Sequence, residues 1–295
     1  MGGRTKRQKH NPQSGIERIV LVVINLDELK DKINNEGKIV LRPSSLQQFI
    51  NCPAQWFRAS LMQDFQIPKA AAEAGSALHR GAEVGYTEKI ASGNNPKLDT
   101  ITDAIRDDWE ARNSDYEIIY QEGDTKDSIQ AELIADAKTY YPVMLETTPV
   151  AVETRYTLEI DHPIFSAISG TIDIDLDGGL ADIKRTNKKV TPSVLPKYLL
   201  QQSIYAFLKR TNGKSCLKAE IHNVAKGVGS NVLDLELNIN YARSVVNTIL
   251  ETTASFWETG NTHLFRGCSP VSNFLCSSKW CGYWEQCPYV KDLRS

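Results

Sequence analysis

Apolar positions in the first half of the chain recur at helical spacing. After Leu41-Arg42-Pro43-Ser44-Ser45, the residues Leu46, Phe49 and Ile50 fall on one helix face, with Ser44 or Ser45 placed to cap it. Cys52-Pro53 interrupts this helix, and Trp56, Phe57 and Leu61 continue the apolar face. A second helix is predicted over Ala70 to Ile90, with Ala71, Ala74, Leu78, Ala82 and Tyr86 as its stripe. Ile101, Ile105 and Trp109 predict a third. Ile129, Leu133, Ala137 and Tyr140 predict a fourth, ended or kinked near Pro142.

The period then changes to two. Val152, Thr154, Tyr156, Leu158 and Ile160 alternate with Glu153, Arg155 and Glu159, as a half-buried strand requires. Ile168 to Asp177 and Leu180 to Lys184 follow as strands, joined by Asp177-Gly178-Gly179, a hairpin signal. Leu195 to Lys209 reads as a helix, Cys216 to Val224 and Val232 to Ile239 as strands. A last helix runs from about Tyr241 to Trp257 and stops at Gly260. Ile16 to Leu26 reads as a short strand and turn, and residues 1–15 as a disordered basic tail. This order predicts an α/β (α+β) fold with a mixed central sheet flanked by helices. Within one domain over 16–295, a helical part spans 41–150, a core 151–240, and a terminal helix with a cysteine segment 241–295.

Composition changes this picture little. The 295 residues are 41% hydrophobic, enough for a substantial core. No apolar run approaches the roughly 18–20 residues of a membrane helix. Ile19 to Ile24 is too short for a span and lacks the flanks of an export signal. A soluble, cytoplasmic protein without a membrane partner is expected. The net charge of −2 does not announce nucleic acid, although a local basic patch suffices for it. Two basic stretches exist: Arg4, Lys6, Arg7 and Lys9, and Lys184, Arg185, Lys188, Lys189 and Lys197.

The candidate chemistry lies in the hairpin. Gly170-Thr171-Ile172-Asp173 precedes Asp182-Ile183-Lys184 by nine residues. Residues two apart in a strand share a face. Asp182 and Lys184 therefore point together while Ala181 and Ile183 point to the core, and Asp173 and Asp175 share a face opposite Ile172 and Ile174. A turn near Gly178 brings Asp173 beside Asp182 and Lys184. Two carboxylates can hold Mg²⁺ or Mn²⁺. The backbone carbonyl of Ile183 is available as a further ligand, and the lysine can orient water or offset charge growing on a phosphate. The alternative is an exposed hairpin whose acids and lysine form surface ion pairs.

Four of the six cysteines, Cys268, Cys276, Cys281 and Cys287, fall in the last 28 residues; Cys52 and Cys216 stand apart. Three thiolates as close as 276, 281 and 287 can grip one metal centre, zinc or iron–sulfur, given a fourth ligand. Cys216 reads as a core residue in a strand.

The hairpin resembles the core of the PD-(D/E)xK nucleases, with Asp182 in the second acidic position. Tyr198-Leu199-Leu200-Gln201-Gln202-Ser203-Ile204-Tyr205 resembles the Q-x-x-x-Y helix of RecB-like members, in which the face carrying Gln201 and Tyr205 lies beside the active site. Gly75-Ser76-Ala77-Leu78-His79 resembles the G-x-x-x-H element, whose histidine joins the metal site. Glu153 stands where that family often carries a glutamate, either near the metal or at a solvated edge. Phe49-Ile50-Asn51-Cys52-Pro53-Ala54-Gln55-Trp56-Phe57 resembles the N-terminal element of the iron–sulfur branch. That resemblance assigns Cys52, Cys276, Cys281 and Cys287 to a [4Fe–4S] cluster, with Cys268 as competitor for a place. It implies a restriction-endonuclease-like fold and a DNA exonuclease acting on single strands or duplex ends, in recombination, repair or CRISPR spacer acquisition. A homo-oligomer or recombination proteins would be its further partners. Two readings stand beside it: a zinc-clasped endonuclease and a non-catalytic DNA-binding scaffold. No P-loop motif is present, so a stand-alone nuclease is expected rather than the end of a helicase.

Overall fold

The computed structural model describes residues 26–63, 67–268, 275–278, 281–287 and 289–290. The expected tail over 1–15, and the strand expected to begin at Ile16, lie outside them as far as residue 25. Leu26 itself opens a helix, α1 (Leu26–Glu36), which burial of Leu29 and Ile33 holds to the core. A short strand β1 (Ile39–Leu41) follows, then α2 (Pro43–Asn51), α3 (Pro53–Trp56) and a π-helical turn, Phe57–Met62. Neither serine caps α2. The helix begins at Pro43 after Arg42, with no side-chain cap, and Ser45 Oγ instead donates to the Arg42 carbonyl at 2.8 Å. Proline at the first helical position loses no bond, because that N–H would lack an intrahelical partner anyway.

Three long helices come next: α4 (Ala70–Ser92), α5 (Leu98–Asp115) and α6 (Lys126–Glu146). The buried stripe of α4 starts at Ala70 and includes Ala77, Gly81 and Gly85; Ala71, expected inside, is exposed. α6 is opened by a capping box between Thr125 and Ser128. It also runs through Pro142, where an end or kink was expected. Lys89 of α4 reaches its far end and donates to the carbonyls of Met144, Leu145 and Thr147 at 2.9, 2.6 and 2.8 Å. These bonds satisfy oxygens that a helix end leaves open.

The remaining elements are β2 (Pro149–Glu159), β3 (Phe165–Leu176), β4 (Gly179–Thr186), α7 (Pro196–Thr211), β5 (Lys218–Ala225), β6 (Gly229–Leu235) and α8 (Ile239–Thr259). Cys216 is buried as expected but precedes β5 instead of lying in it. Among the described residues, six strands form one mixed sheet in the order β1-β3-β4-β5-β6, with β2 on β3. β1–β3 and β4–β5 are parallel; the other pairs are antiparallel.

Each face of the sheet has its own core. One packs Leu180, Ile172 and Ile221 under α1, α2, α7 and α8. The other packs Ile174, Ala181, Ile183 and Val224 under α4, α5 and α6. This is the predicted mixed α/β architecture, a central sheet flanked by helices. No helix among the described residues is long and apolar enough to cross a membrane.

Candidate active site and cysteine cluster

The hairpin turns tightly. Leu176 pairs with Gly179, and Gly178 takes the positive φ of 66° that this two-residue turn requires. Pairing of β3 with β4 then covers only Ile174–Leu176 against Gly179–Ala181. Beyond it the strands part, and Asp173 Oδ2 accepts the Ile183 N–H across the opening at 2.8 Å.

A backbone switch accompanies this opening. Strict alternation would put Ile172 and Ile174 on one face, yet Ile172 packs in the core under α7 and Ile174 in the core under α4. β2 does the same: Tyr156 packs on the first side and Val152 on the second. Between Val152 and Thr154 stands Glu153, with φ of 47°, a strained value for a residue bearing a Cβ. The register on either side places Glu153 opposite Asp173. The expectation that Asp173 and Asp175 share a face is therefore corrected. Asp175 turns to α7, where Lys209 pairs with it and also donates to the carbonyls of Leu176 and Gly179 at 2.9 and 2.7 Å. Asp173 turns to α4 and meets His79, Nδ1 to Oδ2 at 3.4 Å. A helix-terminal lysine like Lys209 reads in sequence as a solvated cation, so nothing in the pattern signals this clamp.

His79, Glu153 and Asp173 thus converge, with one donor atom from each lying within 4.8 Å of the others. His79 Nε2 also lies 2.8 Å from the Ile183 carbonyl. Surrounding atoms withdraw water from the Glu153 carboxyl and the charge of Asp173 adds to this, pushing it up to about 7, although the residue as a whole is exposed. Asp173 is raised as well, by burial and then by Asp182, against the lowering influence of His79. Asp182 is buried and outside this trio. Its carboxylate holds Lys184 Nζ at 2.7 and 3.0 Å. Burial alone would push the Lys184 ammonium down, but Asp182 and Asp173 overcome it and keep the group charged. On α7, Gln201 Nε2 donates to Tyr205 OH at 2.9 Å. Burial pushes the Tyr205 phenol up to about 12, with Asp182 and Asp173 nearby.

A second cluster joins Cys52 to the segment that follows α8. Cys52 is buried between α2 and α3, and the Ala54 N–H bonds the Arg266 carbonyl at 3.2 Å. Burial raises the Cys268 thiol, and the hydrogen-bonded thiols of Cys52 and Cys276 raise it further. Cys276 Sγ also lies 3.9 Å from the Cys268 carbonyl. Cys281 is raised by burial, with Cys52, Cys287 and Cys276 among its neighbours. Cys268, whose spacing gave it no definite place, therefore stands within the group, and none of these cysteines is in a disulfide. Cys216 lies elsewhere, beside Lys209 and Arg210.

Residues 41–288 match the family model of the PD-(D/E)XK nuclease superfamily. A solved structure from Eubacterium rectale, provisionally assigned as an exonuclease, aligns with a TM-score of 0.46 and 12% identity, covering 77% of this chain and 84% of that one. The solved structure of SSO0001 aligns with a TM-score of 0.42 and 13% identity, covering 89% and 95%. No curated protein matches the chain.

Proposed function

From the chain's membership of the PD-(D/E)XK nuclease superfamily, we propose that it is a metal-dependent DNA exonuclease of the RecB-like iron–sulfur branch, serving recombination, repair or CRISPR spacer acquisition. Residues 16–295 act in this reading as one nuclease unit, since both cores share one sheet. The observation that carries the proposal is the convergence of His79, Glu153 and Asp173 beside the Asp182–Lys184 pair.

The donor set fits a divalent cation. Two carboxyls raised by burial and by a neighbouring carboxylate, Asp173 for Glu153 and Asp182 for Asp173, are relieved by positive charge, and an imidazole suits Mn²⁺ better than Mg²⁺. His79, Glu153 and Asp173 would hold the ion, with Asp182 and the Ile183 carbonyl as the further oxygen donors at the cleft. A bound ion supplies Lewis acidity toward a phosphate oxygen and toward water. Lys184, fixed by Asp182 and kept protonated, would offset the negative charge that grows on the phosphate during displacement. Gln201 and Tyr205 stand beside it and would orient the lysine or the strand.

Cys52, Cys276, Cys281 and Cys287 are the proposed ligands of a [4Fe–4S] cluster. An all-thiol donor group that joins Cys52 to the segment after α8 fits a cluster that closes a loop of more than two hundred residues. The test of function is digestion of end-labelled single- and double-stranded DNA with Mg²⁺ or Mn²⁺, beside circular controls. Mononucleotide release from linear DNA with circles intact supports the exonuclease; nicked circles would make it an endonuclease; no cleavage with either ion would leave a binding scaffold.

A further inference from the structure

β2 covers one edge of β3 from Ala167 to Leu176. On the other edge β1 reaches only to Ile168, and β4 starts only at Ile174. Ser169–Asp173 therefore face a gap between two partners. A groove of about 450 Å³ opens there, with Arg42, Ser44, Arg155, Thr157, Ser169 and Thr171 among its walls.

The chemistry of this groove is one-sided. It presents two guanidiniums and five hydroxyls, the Tyr205 phenol among them, and no carboxylate belongs to its described lining. Arg42 and Arg155 are exposed, and among the described residues neither has a carboxylate within 4.0 Å. The uncapped start of α2, Pro43 and Ser44, forms part of the wall, so its partial positive charge adds to the two cations. Arg155 pairs with Thr171 across β2 and β3. Each lies two residues from a carboxylate of the trio, Glu153 or Asp173, a separation of about 7 Å along a strand.

We propose that this groove is a phosphate-binding subsite that holds the backbone of the nucleic-acid strand beside the bond to be cut, with Arg42 and Arg155 as its anchors. The proposal rests on the nuclease reading above. The trio alone repels a polyanion, so a strand must be gripped close by. Guanidinium is suited to that task, because it forms paired hydrogen bonds with phosphate oxygens. The hydroxyl ladder serves it too: Thr157 and Ser169 bond each other at 2.7 Å, which holds both oxygens toward the groove wall.

The test is binding of a fluorescent single-stranded oligonucleotide to the full chain, with Ca²⁺ replacing Mg²⁺ to slow cleavage. Arg42→Gln and Arg155→Gln should each weaken binding by roughly three- to tenfold and make the slope of log K against log[salt] shallower by about 0.7 per arginine. Arg155→Lys should keep most of the slope. Arg106→Gln, at an arginine also exposed but on α5, should change neither quantity. A double variant whose affinity and slope stay within error of the parent would overturn the subsite. Oligonucleotides with and without a 5′-phosphate separate the two sources: if the arginine effects need the phosphate, the groove holds a strand end, and if not, internal phosphodiesters. Parent protein that binds with the full slope but cuts nothing in Mg²⁺ or Mn²⁺ would refute the nuclease reading and leave the groove standing. Cleavage with an unaltered slope in the double variant would refute the groove alone.

Discussion

A Cβ on Gly170 would lie 2.5 Å from the Tyr205 ring and 2.9 Å from Pro43. The glycine that opens the G-x-x-D spacing is thus the seat of the tyrosine that closes Q-x-x-x-Y. Two motifs distant in the chain meet because one lacks a side chain. Gly170→Ala should force Tyr205 off its site and cost about 1–3 kcal/mol, seen as a lower melting temperature with reduced cleavage. Gly75 offers the contrast, since a Cβ added there would meet nothing within 4 Å. Gly75→Ala lies inside α4 and should be neutral or stabilise by up to about 1 kcal/mol. Equal destabilisation by both would show that close packing is not the reason for Gly170.

Asp173→Asn removes a charge from the trio while preserving shape. Cleavage should fall by at least about 10²-fold, with little change in melting temperature. Lys184→Ala should lose rate at saturating DNA more than affinity, and Lys184→Arg should rescue poorly because guanidinium differs in shape. Steady-state kinetics on labelled DNA decide both. Turnover near the parent's in Asp173→Asn would remove the trio of His79, Glu153 and Asp173 from catalysis, and a pure affinity loss in Lys184→Ala would make it a phosphate anchor.

Lys209 ties α7 to the hairpin by holding Asp175 and both sides of the turn, with Tyr156 donating to the same carboxylate. Lys209→Met leaves Asp175 buried without its cation, a change that costs about 3–5 kcal/mol. Lys209→Met with Asp175→Leu should recover part of that stability in a urea melt. If the single change is silent, the clamp does not hold the hairpin.

The long helices and the hairpin were legible because burial on one side imposes a period. α4, α5, α6 and α8 carry full apolar stripes, and Gly178 marks the turn. α1 was not legible, since only Leu29 and Ile33 are buried in eleven residues. The change of face across Glu153 and Asp173 left no trace either. It depends on a positive φ at a glutamate, a conformation enforced by surrounding structure rather than by local preference. Two-residue alternation alone therefore put Asp173 and Asp175 together, and spacing alone could not bring Glu153 to His79 or Cys268 to Cys52.

Away from the cleft, Glu220 bonds His222 Nε2 at 3.2 Å, and His222 Nδ1 bonds Tyr140, which bonds Tyr86. Its hydrogen bond with His222, then those with Lys218, holds the Glu220 carboxyl down at about 2. A folded-state value below the unfolded one gives stability that is fully present above about pH 4.5 and is lost as the pH falls toward 2. Glu220→Gln should flatten that acid limb in chemical melts taken from pH 5 to 2. An unchanged limb would mean that Glu220 titrates alike in both states.

Cys52 lies over two hundred residues from the other members of its cluster, so its substitution tests the clasp most directly. If it is a ligand, Cys52→Ser should behave like Cys281→Ser: loss of brown colour, lower melting temperature and poor solubility. An alcohol replaces a thiolate at iron badly. Cys216→Ser should keep the colour, because its sulfur sits beside Lys209 and Arg210. Cys268→Ser decides the competition, since its thiol touches those of Cys52 and Cys276 and five sulfurs meet where a cluster takes four. Retained colour there leaves the proposed set of Cys52, Cys276, Cys281 and Cys287. Loss of colour in Cys268→Ser with retention in Cys52→Ser would overturn that set and the long-range closure with it. Iron, sulfide and zinc would be measured on anaerobically purified protein. One zinc without sulfide would end the iron–sulfur assignment and leave a thiolate clasp, whose loss should lower activity only in step with unfolding.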